Sequence, residues 1–399
     1  MNTNPTSGTV QDQDINTSRL PHNDIEEIMI QSRARPGENP VECHIRALDY
    51  ALSTGGSIYA HEIFTAPDFE NEIITQAEKR FGAIEWPVTH ITDNGGSNGF
   101  GGSCVRLVRK TELHPLTLGA RIVGNWFEDK HARYAYLGDL PGKSGAGSRE
   151  EQIRAVFKQM MDALSMCGMD FSNVVRTWFY NRDILAWYDV FNRVRTEFFR
   201  THGVFDGLVP ASTGIGSANA RGTELTAALF AVSAKNGQDV KTAAIPSPMQ
   251  CPALKYGSSF SRAAEILTPD SRRLFVSGTA SIAPDGRTVH CGNTKEQVRL
   301  TMDVVQAILR LRGMNWDAVR HSLVYVRNIE DVDVFADYCE SHGVTIPYVQ
   351  THQTVCRDDL LFEIEVDAFA TLLPETLSER PDVKKRYQQL RRTIANCKA

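Results

Sequence analysis

Near the C-terminal end of the chain one acid, Glu363, stands inside an apolar run, Leu360-Leu361-Phe362-Glu363-Ile364. Burial in such a strand disfavours the carboxylate and raises the pKa, so Glu363 is expected to hold its proton near neutral pH, the state a general acid needs. Cys356 lies seven residues earlier, ahead of that strand. Contacts that suit a carboxylate occur elsewhere. Arg262 enters a strand, and Arg176 and Tyr180 alternate onto one face of another. The loop Thr213-Gly214-Ile215-Gly216 can turn backbone N–H groups toward an anion. Each feature has a plainer alternative. Glu363 could be a surface carboxylate or the partner of an arginine, and Cys356 an inert buried thiol. Arg176 could pair with an acid across the sheet, and residues 213–216 could be only a tight turn.

The elements that must position these residues come in two copies. Segments 152–184 and 297–329 align without a gap at an offset of 145 residues. Each begins with a Gln (Gln152, Gln297) and continues as an amphipathic helix, with Val156, Met160 and Leu164 matched by Thr301, Val305 and Leu309. Each helix ends at a Gly-Met pair, Gly168-Met169 or Gly313-Met314, where Gly supplies a left-handed cap. An aromatic (Phe171, Trp316) and a β-rich run (174–180, 319–325) follow, then a second helix (187–200, 332–341) and a closing strand (224–232, 360–369). A repeat of this length is a duplicated domain, not a solenoid. The sequence predicts an α+β protein of two tandem units with helices on one face of a mixed sheet. It divides into a disordered arm (1–40), a first domain with extra N-terminal elements (41–242), a Pro- and Ala-rich linker (243–252), a second domain (253–375) and a helical tail (376–399).

Composition narrows the function class. The chain of 399 residues is 42% hydrophobic and 23% charged, enough for real cores. A net charge of -5 leaves no basic footprint for nucleic acid. No run approaches the ~18 apolar residues of a membrane span, so no membrane partner is expected. The eight cysteines form no CxxC pair and the histidines no HExxH, so neither a metal nor another cofactor is expected. His290 and His352 read as turn residues, and reduced thiols point to the cytoplasm. Gly142-Lys143-Ser144 imitates the end of a P-loop, but Leu137 stands where its first Gly belongs. The Gly-rich stretch 95–102 leads into a strand instead of a helix, which excludes a dinucleotide fingerprint.

The second copy, with Ser277-Gly278-Thr279-Ala280-Ser281, Gln297, Gly313-Met314 and Glu363-Ile364-Glu365, resembles the Rid (YjgF-like) superfamily. Within it, Pro210-Ala211-Ser212-Thr213-Gly214-Ile215-Gly216, Phe260-Ser261-Arg262-Ala263 and Cys356-Arg357-Asp358-Asp359-Leu360-Leu361-Phe362-Glu363-Ile364-Glu365 resemble the chorismatases, which contain two Rid-like domains. The likeness spans residues 134–370; residues 41–130 depart from the chorismatase pattern. It implies hydrolysis of the enol ether of chorismate to pyruvate and a dihydroxycyclohexadienoate or hydroxybenzoate. By this resemblance Glu363 delivers the proton and Cys356 assists ring aromatisation. Ala280 lines the pocket, where the aromatising type has Gly, so Ala280 beside Cys356 mixes two patterns. The dicarboxylate substrate would be held by Arg262, Arg176, Tyr180, Thr213, Gly214 and Gly216. A Rid-type imine or enamine hydrolase is the alternative, but Pro210 and Pro347 precede Ala211 and Tyr348 where that class has Arg. A non-catalytic binding protein of the same fold is a third possibility. Rid-like sheets leave a face to be covered, which predicts a pseudo-symmetric core or a homotrimer.

Overall fold

The computed structural model describes residues 14–372, apart from 23, 94, 96–98 and 144–146. The tail expected over 376–399 and Ser144 lie outside the described residues. Three successive stretches each build one sheet. The first contains β1 (Ile15–Pro21), β2 (Glu26–Arg33), α1 (Pro40–Ser53), β3 (Ser57–Thr65), α2 (Glu70–Phe81), β4 (Val88–Thr92) and β5 (Gly102–Arg109). The second contains β6 (His114–Leu118), β7 (Arg121–Glu128), β8 (Ala132–Pro141), α3 (Arg149–Met166), β9 (Val174–Asn181), α4 (Tyr188–Thr201), β10 (Ala211–Ile215) and β11 (Leu225–Ala234). The third contains β12 (Lys241–Ile245), β13 (Ala263–Leu267), β14 (Ser271–Ala280), α5 (Thr294–Leu311), β15 (Val319–Val326), α6 (Val334–His342), β16 (Val349–His352) and β17 (Phe362–Thr371).

The strand orders are β4-β3-β5-β2-β1, β10-β9-β11-β8-β7-β6 and β16-β15-β17-β14-β13-β12. Each sheet pairs its edge strand in parallel (β3 with β4, β9 with β10, β15 with β16) and its remaining neighbours antiparallel. The second and third sheets are the two copies expected. The first follows the same plan, so the chain holds three such units. Two expectations are corrected here: residues 14–33 form β1 and β2 in place of a disordered arm, and the linker at 243–252 begins within β12, paired to β13. The elements placed before the second unit form a complete sheet of their own.

The shared helix reads directly from its caps. The side chain of Ser148 accepts from Glu151 N, and that of Asn293 from Glu296 N, at the first turns of α3 and α5. At the other ends Gly168 and Gly313 adopt φ of 72° and 69°, and Met169 N and Met314 N return to Leu164 O and Leu309 O at 3.0 Å. The repeated Gln also has work. Gln152 Oε1 accepts from Glu224 N at 2.9 Å, ahead of β11. Gln297 Oε1 accepts from Leu361 N at 2.8 Å and its Nε2 donates to Asp359 O at 2.8 Å, which fixes the start of β17.

Each sheet buries one face under its own helices: Val156, Phe157 and Met160 against Leu137, Phe179 and Leu229, for example, or Val305 and Ile308 against Val324 and Ile364. The opposite faces meet one another, bringing Tyr59, Phe64 and Cys104, Tyr136, Trp178 and Phe230, and Phe275, Leu323 and Tyr325 into one central core. The face left for a second copy is therefore covered within the chain.

That centre is also charged. Arg273 of β14 binds Asp367 of β17 at 2.8 Å and Glu27 of β2 at 3.0 Å, all three buried. His22 bridges Glu27 at 3.0 Å and Asp129 at 3.3 Å. Its pKa rises to about 9 because these two carboxylates outweigh the burial that opposes protonation. Removing one partner of a buried ion pair leaves the other charge uncompensated, typically at about 3–5 kcal/mol. Arg273→Ala is accordingly expected to lose roughly that much stability in urea unfolding. A loss under ~1 kcal/mol would mean that the pair does not join the sheets.

Candidate active site

β17 alternates an apolar outer face with an acidic inner one. Phe362, Ile364, Val366 and Ala368 pack under α5 and α6, and Glu363, Glu365 and Asp367 turn inward. Two of the three acids are neutralised. Asp367 meets Arg273, as above. Glu365 receives Arg176 Nη2 at 2.9 Å, Trp178 Nε1 at 2.7 Å and Tyr325 OH at 3.1 Å. The side chain of Glu363, the outermost, has no hydrogen bond or ion pair among the described residues and lines a cavity of about 460 Å³. Its pKa rises from 4.5 to about 8, first through burial and then through the charge of Glu365, with Arg176 and Arg262 opposing. A buried acid that holds its proton at neutral pH is a proton donor in search of a base.

The cavity lies where the second and third units meet. β10 and β14 dock there: Ser212 N donates to Ser277 Oγ at 2.9 Å and Gly278 N to Thr213 Oγ1 at 3.0 Å. The register of β14 against β17 slips between Val276 and Thr279, opening the sheet beside Glu363. A Cβ at Gly278 would fall 2.0 Å from Glu363 Oε1, so any larger residue at that slip would push the acid aside. Around the acid stand Ala280, Ile282, Cys356, Leu360 and Phe260, with Tyr188 and Asn192 from α4 and Tyr256 from the turn Ala253–Tyr256. This volume is typical of small-molecule pockets.

Cys356 is a neutral thiol. Burial pushes it up to about 12, the nearby Glu363 adds to the shift, and Arg357 and Tyr188 oppose it. It can donate or accept a hydrogen bond but is not a thiolate nucleophile near neutral pH. Two arginines in the wall lack a carboxylate partner among the described residues. Arg262 Nε and Nη2 donate to Cys251 O at 3.0 and 2.9 Å, with the guanidinium 5.5 Å from the ring centres of both Tyr256 and Phe260. Arg357 Nη1 donates to Gly286 O at 2.8 Å and its guanidinium lies 5.2 Å from the Tyr256 ring. Arg193 also borders the cavity but is tied to Glu150.

Of the residues singled out in the sequence, Glu363, Cys356, Arg262 and Ala280 thus surround one cavity. The others sit elsewhere. Arg176 takes the plain alternative, an ion pair with Glu365, and its Nη2 also donates to Thr213 Oγ1 at 2.5 Å. Tyr180 does share its face, but that face points into the central core, and Tyr180 is buried there. Thr213 is spent on Arg176 and Gly278. Gly214 lies in β10, paired in register with Phe179, and Gly216 N donates to Thr354 O at 2.7 Å, so the loop backbone is closed by β pairing and does not face an anion. Sequence reasoning missed Arg357, Tyr188 and Tyr256. Arg357 directly follows Cys356, and that adjacency is the signal that could have found it. The buried trio Glu62, Cys104 and His321 has a metal-like donor set, but Arg106 Nη2 lies 3.5 Å from Glu62 and 3.4 Å from His321, so a cation already faces it.

The raised Glu363 pKa makes a stability prediction with a definite sign. Above its ordinary pKa the unfolded chain ionises, while the folded chain keeps the proton. Stability is therefore lost as pH rises from about 4.5 to about 8. Glu363→Gln removes that loss. Its melting temperature should exceed that of wild type by little at pH 5, by several degrees at pH 8, and by a constant margin above. A gain independent of pH would contradict the assignment.

No protein-family model matches the chain, and no curated protein does. Solved structures do match. A chorismatase crystal structure at 1.08 Å resolution superposes with a TM-score of 0.62 at 20% identity, covering 88% of this chain and 99% of that one. A putative endoribonuclease L-PSP from Entamoeba histolytica (21% identity, TM-score 0.28) covers 33% of this chain and 100% of its own. The Rid-family protein YyfA from Yersinia pestis (23%, TM-score 0.27) covers 33% and 100%. The chain shares the chorismatase fold. Among the described residues no helix is long and apolar enough to cross a membrane.

Proposed function

We propose that this chain is a chorismatase-like hydrolase or lyase that cleaves the enolpyruvyl ether of chorismate, or of a related cyclic carboxylate, to pyruvate and a dihydroxycyclohexadienoate or hydroxybenzoate. The observation that carries the reading is the proton-bearing Glu363 facing a cavity whose wall also presents Arg262 and Arg357 without carboxylate partners. Two such guanidinium groups suit a dicarboxylate, each offering charge-assisted hydrogen bonds to one end. With the substrate held between them, Glu363 gives its proton to the methylene carbon of the enol ether. The positive charge that forms on the ether carbon is met by water or by a ring hydroxyl. After water attack, the bond from the former ether carbon to the ring oxygen breaks in the hemiketal, giving pyruvate and the dihydroxycyclohexadienoate. One proton of the water passes to the departing ring oxygen and the other to the Glu363 carboxylate. After attack by the ring hydroxyl, whose proton passes to Glu363, two bonds of the ketal break, the ring C–O bond of the original ether and the bond to the attacking oxygen. A ring C–H proton moves to that oxygen, giving pyruvate and hydroxybenzoate without net water. Cys356, a thiol beside Glu363 and Tyr188, would exchange a proton with the ring and so favour the aromatic product. Ala280 sets how closely the ring approaches β14.

The test is pyruvate release from chorismate by the purified chain, with chromatography of the ring product. Glu363→Gln keeps size and polarity but loses the acid, and should slow pyruvate release by ~10²–10⁴-fold. The wild-type rate should fall as pH rises through about 8, where Glu363 ionises. Cys356→Ala should leave pyruvate release largely intact and shift product from hydroxybenzoate to dihydroxycyclohexadienoate. A wild type that releases no pyruvate, or a Glu363→Gln that is as fast as wild type, would overturn the reading.

A further inference from the structure

A buried guanidinium ordinarily carries a carboxylate partner, because an unpaired charge is costly to remove from water. Arg195 does not. It stands in the apolar stripe of α4 with Phe191, Val194 and Phe199 and is 1% exposed. Nη2 donates to Asn192 Oδ1 at 2.6 Å, Nη1 reaches Ser212 Oγ only at 3.4 Å, and Nε has no partner among the described residues. The guanidinium rests 4.9 Å from the Phe191 ring centre and 5.9 Å from that of Phe260. Phe260 and Asn192 belong to the wall of the Glu363 cavity, and so does Tyr188, which neighbours both Arg195 and Cys356.

The charge therefore lies one side-chain layer behind that wall. Burial lowers the Arg195 pKa, yet a guanidinium keeps its proton across the physiological range. The titratable groups that face it, Tyr188, Tyr256 and Cys356, are neutral near pH 7, and burial raises the pKa of each further. Among the described residues no carboxylate stands between Arg195 and the cavity. Across such a dry layer a charge is felt far more strongly than through water.

We propose that Arg195 is a positioning residue for an anionic ligand: it is kept without a carboxylate so that the negative charge of a carboxylate bound against Tyr188, Asn192 and Phe260 completes its pairing. This rests on the reading that the cavity takes a carboxylate, but not on chorismate or on its cleavage. The empty protein bears the cost of an unpaired buried charge, and the ligand relieves it. A purely structural arginine would behave in the opposite way, since removing it would weaken the fold and leave anion binding unchanged.

The experiment compares the full chain with Arg195→Met and Arg195→Lys. The probes are benzene-1,3-dicarboxylate and the uncharged benzene-1,3-dicarboxamide, read by thermal melting and by calorimetric titration. Without probe, Arg195→Met should melt above wild type, because an apolar side chain of similar length replaces an unpaired charge. Wild type should be stabilised by the dicarboxylate more than by the diamide. Arg195→Met should bind the dicarboxylate about tenfold or more weakly, and Arg195→Lys, which keeps the charge, should retain most of the affinity. The proposal is overturned by an Arg195→Met that melts below wild type, by one that binds the dicarboxylate equally well, or by a wild type that prefers the diamide or responds to neither. If chorismate proves not to be cleaved while these expectations hold, the catalytic reading fails and this one stands.

Discussion

Three carboxyl groups share one face of β17, and the protein supplies a cation to two of them. The third charge cannot be sustained in the same dry interior, so the remaining acid keeps a proton. Arg273 answers Asp367 and Arg176 answers Glu365, each at under 3 Å. Glu363, at the end of the row, is left with Glu365 beside it and the cavity in front. The two arginines come from different units, Arg176 from β9 of the second sheet and Arg273 from β14 of the third. Arg273 also reaches Glu27 of the first sheet. Arg273 and Arg176 thus hold the sheets together, and Glu363 at the end of the same row keeps its proton through burial first and the charge of Glu365 second, with Arg176 opposing.

This arrangement explains why the cavity lies at a unit boundary. Within one unit the outer face of β17 is sealed by α5 and α6, and only the inner face is open to chemistry. The second unit brings β10 and the start of α4 against the third, contributing Tyr188 and Asn192 to the wall, and the slip at Ser277-Gly278 leaves room for the Glu363 carboxyl. Thr213 links the two roles, accepting from Arg176 on one side and from the Gly278 amide on the other. A change in how the two units dock would move Gly278 and with it the space in front of the acid.

Much of this was legible in the sequence. The Gln, helix, Gly-Met and strand series repeats because those residues do the same physical work twice, pinning a closing strand and ending a helix with a left-handed turn. The acid was legible because a lone Glu among Leu, Phe and Ile has no good partner nearby. The first unit was not. Its strand β2, Glu-Glu-Ile-Met-Ile-Gln-Ser-Arg, points Glu27 and Gln31 into the shared polar centre, so buried positions carry polar side chains and the usual apolar signal is lost. Its helix α1 ends at Ser53-Thr54-Gly55 without the Met that marks the other two. The alternation of Arg176 and Tyr180 was read correctly, but sequence cannot say that this face looks toward the central core and not the cavity. Arg195 is marked in the sequence only by a charge at Phe191 plus four, inside an apolar helical stripe.

The central claim is that Glu363 is a carboxylic acid, not a carboxylate, at neutral pH. Infrared difference spectroscopy of wild type minus Glu363→Gln measures this directly. At pH 6 the difference spectrum should show the C=O stretch of a protonated carboxyl group. That band should give way to carboxylate bands as pH passes about 8. Carboxylate bands already present at pH 6, with no protonated stretch, would contradict the account.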